Sequence, residues 1–162
     1  MYLTEHTIQH SVKVAEIMSK ICKRFSSTLT PEDMYLLGLV HDIGKLLDDN
    51  KKPILLESVG HAHHGGTILE QNGYQYSDEV FHHGHPEEDY RTPAWYLLNA
   101  VDLAVDKNGV LIGHNLRMLG IQNRYGKDSV QYKRARRILD EIYNLRHYDV
   151  EDIKEGVLRD EG

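Results

Sequence analysis

Residues 34–45 read MYLLGLVHDIGK, an apolar run that leads directly into a His-Asp pair and a lysine. Before the run, Thr30 and Pro31 form a typical helix start, an N-cap followed by proline at the first helical position. Because the run is apolar nearly all round, we expect this helix to be central in the fold. It carries His41 and Asp42 at its C-terminal end, and adjacent helical positions point about 100° apart. The two side chains can therefore flank a single ion from two directions.

Helical periodicity also covers most of the remaining chain, with apolar residues at three- and four-residue steps. The expected helices span residues 5–25, 61–71, a short segment from 77, 93–105, 113–122 and 129–147, with a polar stub after Asp149. Gly109–Gly113 could form a strand, and it could equally be a turn. The sequence therefore predicts an all-α fold, a single compact domain over residues 1–162 with six or seven helices.

The composition excludes several classes of protein. The 162 residues fit one domain, and the net charge of −6 argues against a partner that is long nucleic acid. A single cysteine rules out a disulfide framework and a Cys-rich zinc site. No stretch approaches the roughly 18 apolar residues of a membrane span, and the first residues lack a signal-peptide pattern. We expect a cytoplasmic protein without a membrane partner, with residues 53–56 and the last helix as candidate homodimer contacts.

Histidines are concentrated in one part of the sequence, since six of the 11 lie between residues 61 and 85. Imidazole is the commonest metal ligand, so the carboxylates that accompany these residues matter. His10 falls on the inner side of the first helix. Asp102 lies in the middle of an apolar helical run, where a carboxylate is costly unless it is paired or binds a metal. Together with His41 and Asp42, these residues are candidate metal ligands.

The order His10, His41-Asp42, Asp102 resembles the HD superfamily of metal-dependent phosphohydrolases, and the string His-Asp-Ile-Gly resembles its HDIG variant. The resemblance covers residues 5–107. It implies a helical HD domain, with C-terminal helices over residues 113–158 packed on it. It also implies that the four residues bind metal.

Two further segments resemble the two-metal branch of this superfamily. His61 stands four residues before Gly65, and His83 stands three residues after an apolar residue, as the ligands of that branch do. The pattern favours His83 over its neighbour His82 as the ligand, without excluding either. We expect His63, His64 and His82 to line the site or to lie at the surface. The resemblance implies a first ion held by His10, His41, Asp42 and Asp102, and a second held by His61 and His83, with Asp42 bridging the two.

The resemblance also implies cofactors and supporting residues. Mixed histidine and carboxylate ligands suit one or two divalent ions of Fe, Mn, Co, Ni or Zn, and two such ions can activate a water and clamp a phosphate. Lys45, three residues after the catalytic Asp42, is placed to touch a phosphate oxygen. Asp106, four residues after Asp102, is expected to orient a ligand histidine. From their charge alone, and not from the resemblance, Arg117, Arg124 and Lys127 are candidates to bind a second phosphate of the substrate.

The expected function is hydrolysis of a phosphate ester or anhydride of a small nucleotide. Among known branches, the ligand set is similar to that of HD-type diadenosine tetraphosphate hydrolases. The Gly-Tyr-Pro extension of cyclic-dinucleotide phosphodiesterases is absent after His83. Two alternatives stay open: some HD-fold proteins are di-iron oxygenases, and an HD domain can be a non-catalytic nucleotide sensor. Oxygen consumption would distinguish the first, and tight nucleotide binding without turnover would distinguish the second.

Overall fold

The computed structural model describes residues 1–54, 60–145, 148, 150–156 and 158. These residues form eight α-helices and no strand. The helices are α1 (Glu5–Ile21), α2 (Pro31–Val40), α3 (His61–Gln71), α4 (Ser77–Phe81), α5 (Pro93–Asp102), α6 (His114–Tyr125), α7 (Val130–Asn144) and α8 (Glu151–Lys154). The predicted all-α fold is confirmed. Six of the eight helices are long, in agreement with the expected six or seven. No helix in the described part of the chain is long and apolar enough to cross a membrane.

Local capping sets the helix starts that the sequence predicts. Side-chain oxygens of three N-cap residues accept hydrogen bonds from main-chain amides one turn later, which satisfies donors that the helix itself leaves unpaired. The pairs are Thr30 with Asp33 at 3.2 Å, Thr92 with Trp95 at 3.1 Å and Ser129 with Tyr132 at 3.1 Å. The predictions for residues 55–56, 146–147 and 149 lie outside the described residues.

The central helix of the fold is α5, and the expectation that α2 is central was wrong. Every residue from Ala94 to Val101 is buried, and apolar side chains of α1 and α7 belong to the same core. In α2, only Met34, Leu37 and Gly38 are buried, whereas Leu36 is 46% exposed. A helix that is apolar all round has no sequence signal for its inner face, so its neighbours alone decide which residues are covered.

The chain leaves α5 earlier than the periodicity predicts, at Asp102 rather than Val105. Val105 instead pairs with Leu111 in an isolated antiparallel bridge. The carboxylate of Asp106 accepts the amides of Asn108 and Val110, each at 2.9 Å, and closes the turn between the bridged residues. The sequence allowed either a strand or a turn at Gly109–Gly113, and the structure has the turn.

Two glycines allow α2 and the segment after it to pack closely against their neighbours. A Cβ atom on Gly38 would stand 2.6 Å from Cα of Ala15, so α2 crosses α1 at a distance that only glycine permits. A Cβ atom on Gly44 would stand 1.8 Å from the carbonyl oxygen of His61. Since Gly44 belongs to a 3₁₀ turn directly after Asp42, the close approach holds Asp42 between α1 and the start of α3.

Candidate metal centre

Six predicted ligand residues meet in one place, although they come from five parts of the chain. Their ligand atoms form overlapping groups of three, and within each group the atoms lie within 4.8 Å of one another. α1 supplies His10, the segment after α2 supplies His41 and Asp42, α3 supplies His61, the turn after α4 supplies His83, and α5 supplies Asp102. We call these six residues the principal cluster. His82 is not a member.

Three histidines of the principal cluster share one arrangement, in which Nδ1 donates to a main-chain carbonyl oxygen. The pairs are His10 with Asp106 at 3.0 Å, His41 with Gly38 at 2.6 Å and His83 with Val80 at 2.5 Å. A carbonyl can only accept, so Nδ1 carries the proton and Nε2 of the neutral ring has a free lone pair. Metal-bound histidines typically have this support, which fixes both the tautomer and the ring orientation.

Asp42 stands between two sets of imidazoles. Its Oδ2 atom lies 3.4 Å from Nε2 of His41 and 3.8 Å from Nε2 of His10. Its Oδ1 atom lies 3.7 Å from Nε2 of His61 and 3.7 Å from Nε2 of His83. Each carboxylate oxygen therefore faces a different pair of histidines, which is the arrangement that a carboxylate bridging two cations needs.

Asp102 and His41 show that the principal cluster fits a cation. Oδ1 of Asp102 lies 2.7 Å from Nε2 of His10 and 3.4 Å from Nε2 of His41. His41 is completely buried, and its Nε2 atom has no hydrogen-bond partner among the described residues. A buried lone pair aimed at two carboxylates is unfavourable by itself, and a divalent ion bound among them would satisfy all three groups.

The electrostatics of the principal cluster keep its carboxylates ionised. Burial opposes the charge on Asp42, but the attraction of His41, together with that of His83 and Lys45, holds its pKa well below the usual value. Burial likewise opposes the charge on Asp102, and the hydrogen bond from His10 together with the attraction of His41 holds that pKa well below the usual value. Two fixed negative charges at such depth require nearby positive charge, from protonated histidines or from metal ions.

The pKa values of the histidines diverge according to whether loss of hydration or attraction to a carboxylate dominates. Burial would lower the pKa of His10, yet Asp102 outweighs it and the pKa is raised. The same balance, with Asp42 as the partner, raises the pKa of His83. At His61 the loss of hydration outweighs the attraction of Asp42 and lowers the pKa to about 4. His61 is therefore neutral near pH 7, the form that can bind a metal.

The neighbouring histidines point elsewhere. Nδ1 of His82 lies 3.0 Å from Oε1 of Glu88, and its ring stacks on Tyr90 with centroids 4.7 Å apart. Nε2 of His63 lies 2.8 Å from the other oxygen of Glu88. Of the His82-His83 pair, the structure thus brings His83 to Asp42 and turns His82 to a separate group of side chains.

The principal cluster forms part of the wall of a cleft of about 550 Å³, which α6 lines on its other side. Four cationic residues also line the cleft: Lys45, Lys107, Arg117 and Arg124. Nζ of Lys45 lies 3.3 Å from Oδ2 of Asp42. Lys127, expected to bind phosphate, follows the end of α6, is exposed and is not among the residues that line the cleft.

Asp106, Lys107 and His6 also lie at the principal cluster or in the cleft. Asp106 contacts His10 as expected, but through its main-chain carbonyl, while its carboxylate closes the following turn. Lys107 and His6 line the cleft and were not predicted to. His6 stands one helical turn before His10, so helical spacing could have indicated it, whereas Lys107 has no such signal.

Comparison with known proteins gives a family but no individual relative. The model of the HD domain family matches residues 7–142, which is most of the chain. No curated protein and no solved structure matches the sequence. The matched range contains all six residues of the principal cluster, and the chain belongs to the HD domain family.

Proposed function

We propose that this protein is a metal-dependent phosphohydrolase that cleaves a phosphate ester or anhydride of a small nucleotide-like molecule. HD domains are mostly enzymes of this kind. The observation that carries the proposal is that a cluster of four histidines and two aspartates, with His10, His41, Asp42 and His83 buried, opens into a cleft lined by four cations. Cations beside a metal-binding cluster match the charge of a phosphorylated substrate.

The donor set of the principal cluster fits two divalent transition ions. His10, His41, Asp42 and Asp102 would hold the first ion, and His61, His83 and the second oxygen of Asp42 would hold the other. When bound, such ions lower the pKa of water and neutralise phosphate oxygens. Imidazole ligands favour Fe, Mn, Co, Ni or Zn over Ca or Mg.

The cations of the cleft have distinct tasks in this proposal. Lys45 is 44% exposed and contacts Asp42, so its ammonium group can bind a phosphate oxygen directly beside the principal cluster. Nε of Arg117 is shielded from solvent and has no hydrogen-bond partner among the described residues. The guanidinium of Arg117 lines the cleft and can bind a second phosphate, and Arg124, also on α6, adds positive charge to the cleft.

The rest of the α6 wall suits an organic group rather than a longer chain of phosphates. Ile112, Leu116, Ile121 and Tyr125 line the cleft, and Leu116 and Tyr125 are 56% and 44% exposed. Apolar and aromatic side chains beside cations match a nucleobase joined to phosphates. Nucleoside polyphosphates, including dinucleoside polyphosphates, are therefore the substrates that we rank first.

Release of phosphate, pyrophosphate or nucleotide products from a panel of nucleotides tests the proposal. The panel contains nucleoside mono-, di- and triphosphates and dinucleoside polyphosphates. Each is incubated with metal-free protein and with protein supplied with Mn²⁺, Co²⁺ or anaerobic Fe²⁺. We expect metal-dependent release that is lost in Asp42→Ala and retained in Lys127→Met, which removes a cation outside the cleft.

Other outcomes would replace the proposal. Nucleotides that bind the metal-loaded protein without turnover would indicate a sensor. Oxygen consumption by the iron-loaded protein without phosphate release would indicate an oxygenase. Release that persists in Asp42→Ala would show that a different site, or a contaminant, performs the reaction.

A further inference from the structure

A second group of potential metal ligands lies outside the principal cluster. Ligand atoms of His63, His85 and Glu88 lie within 4.8 Å of one another. His63 belongs to α3, and the other two belong to the segment between α4 and α5. The side chains of His63 and Glu88 are 28% and 25% exposed, so an ion from solution can reach them. We call these three residues the peripheral cluster.

Glu88 is the centre of the peripheral cluster. Its Oε2 atom lies 2.8 Å from Nε2 of His63, and its Oε1 atom lies 3.0 Å from Nδ1 of His82. The rings of His63 and His85 stack with centroids 4.5 Å apart and an angle of 25° between their planes. The stacked imidazoles of His63 and His85 thus lie next to the carboxylate of Glu88, and His82 contacts the second oxygen of that carboxylate.

Surrounding residues orient each of these rings. Oε1 of Glu87 lies 2.9 Å from Nδ1 of His85, a hydrogen bond that leaves Nε2 of His85 for a ligand. The ring of His63 stacks on Phe81 at 4.4 Å, and that of His82 stacks on Tyr90 at 4.7 Å. A carboxylate behind an imidazole and aromatic rings beside it are typical supports of metal-bound histidine.

We propose that the peripheral cluster is a separate binding site for a divalent transition-metal ion, with His63, His85 and Glu88 as its ligands. Two histidines and one glutamate form a ligand set that suits Zn²⁺, Co²⁺ or Ni²⁺ and does not suit Ca²⁺ or Mg²⁺. An ion would draw the nitrogens to roughly 3.3 Å from each other, given Zn–N distances of about 2.0 Å. Binding therefore requires the two rings to tilt out of their stacked arrangement. His82 supports Glu88 through its second oxygen.

The position of the peripheral cluster relates it to the principal one. His63 lies two residues after His61, and His85 lies two residues after His83. An ion in the peripheral cluster would therefore join the same two segments that supply His61 and His83 to Asp42. Its occupancy should rigidify those segments and favour binding of the second ion in the principal cluster. This inference does not depend on any catalytic activity.

Counting bound Co²⁺ tests the proposal directly. The full-length protein is stripped with a chelator, dialysed against Co²⁺ and analysed for bound metal per chain. We expect about one equivalent less in His63→Gln/Glu88→Gln than in the wild type. In Asp42→Ala, which disables the principal cluster, we expect one equivalent of Co²⁺ to remain. Adding His63→Gln and Glu88→Gln to this variant should remove that equivalent.

Graded variants make the test specific. Glu88→Gln should weaken the peripheral site at least about 100-fold, whereas Glu87→Gln, which changes a supporting residue, should weaken it about 10-fold. Glu70→Gln, which alters an exposed carboxylate on the same helix as His63, serves as the matched control. Thermal unfolding of each metal-free variant checks that it is folded. Equal Co²⁺ content in the wild type and His63→Gln/Glu88→Gln would overturn the proposal, whatever the protein hydrolyses.

Discussion

Nδ1 of His10 on α1 donates to the main-chain carbonyl oxygen of Asp106, 3.0 Å away in the loop after α5. The carboxylate of the same residue accepts the amides of Asn108 and Val110. Asp106 therefore acts on His10 through the shape of its loop. A substitution of Asp106 keeps the main-chain carbonyl but can change its position relative to His10.

Replacing Asp106 should separate these two effects. In Asp106→Ala the two amide contacts are lost, and we expect the free energy of unfolding to fall by about 1–3 kcal/mol and metal affinity to fall about 10-fold. Asp106→Asn keeps an oxygen acceptor and should retain nearly wild-type values. Chemical denaturation and Co²⁺ titration measure the two quantities. Equal metal affinity in all three proteins would show that the loop does not orient His10.

Asp42 and His61 should differ in how many ions they control. Asp42 faces histidines of both proposed sites, so Asp42→Ala should lose both ions of the principal cluster. We expect activity to fall at least about 1,000-fold, which corresponds to roughly 4 kcal/mol of transition-state stabilisation. His61→Ala should lose one ion only. Metal analysis on the peripheral-site background His63→Gln/Glu88→Gln checks the counts, and a loss of two ions from His61→Ala would contradict the assignment.

Local sequence signals predicted most of the helices because the interactions that start a helix are local. Thr30, Thr92 and Ser129 cap helices within four residues of themselves, so their roles are visible without a structure. The grouping of His10, His41, Asp42 and Asp102 was also predictable, because their order along the chain resembles a known pattern.

Features that depend on packing could not be predicted from the sequence. Nothing in the apolar run of α2 indicates that Leu36 faces solvent while α5 occupies the centre. The contact of the Asp106 carbonyl with His10 joins atoms 96 residues apart and uses no side-chain atom of Asp106. His63 and Glu88 are 25 residues apart, and their meeting requires α3 to pack against the segment after α4.

Arg117 should contribute to substrate binding more than Lys127 does. A charge-assisted hydrogen bond to phosphate is worth about 1.5–3 kcal/mol, so Arg117→Met should reduce kcat/KM roughly 10- to 100-fold, mainly through KM. Lys127→Met removes the same charge outside the cleft and should leave both constants unchanged. Steady-state kinetics with the best nucleotide of the panel gives the comparison. Equal effects of the two changes would mean that only overall charge matters.

Gly44 should be essential for the second ion. A Cβ atom there would stand 1.8 Å from the carbonyl oxygen of His61 and 2.8 Å from the amide nitrogen of Gly65. Both neighbours are main-chain atoms, so Gly44→Ala must displace α3, at a cost of about 1–3 kcal/mol or more. We expect it to lose the ion that His61 binds. Gly120→Ala, on an open part of α6, should instead stabilise the protein by about 1 kcal/mol.

His114 should make the protein sensitive to acid independently of any metal. The residue is 1% exposed. Nε2 lies 2.7 Å from the carbonyl oxygen of Ala100, so Nε2 donates and Nδ1 accepts the hydroxyl of Tyr143. Burial lowers the pKa of His114 from 6.5 to about 4, with the nearby Arg136 and Arg117 acting in the same direction. The folded protein therefore holds this ring neutral where the unfolded chain would protonate it.

The sign of the pH effect follows from that difference in proton uptake. Between pH 6.5 and about 4, the unfolded state binds one more proton at His114, so stability falls as the pH falls and levels off below that range. The full loss is about 3 kcal/mol. In metal-free protein, His114→Asn lacks this titration, so its free energy of unfolding should depend less steeply on pH by that amount. Denaturant unfolding at several pH values measures both slopes, and identical slopes would show that His114 is protonated in the folded state as readily as in the unfolded chain.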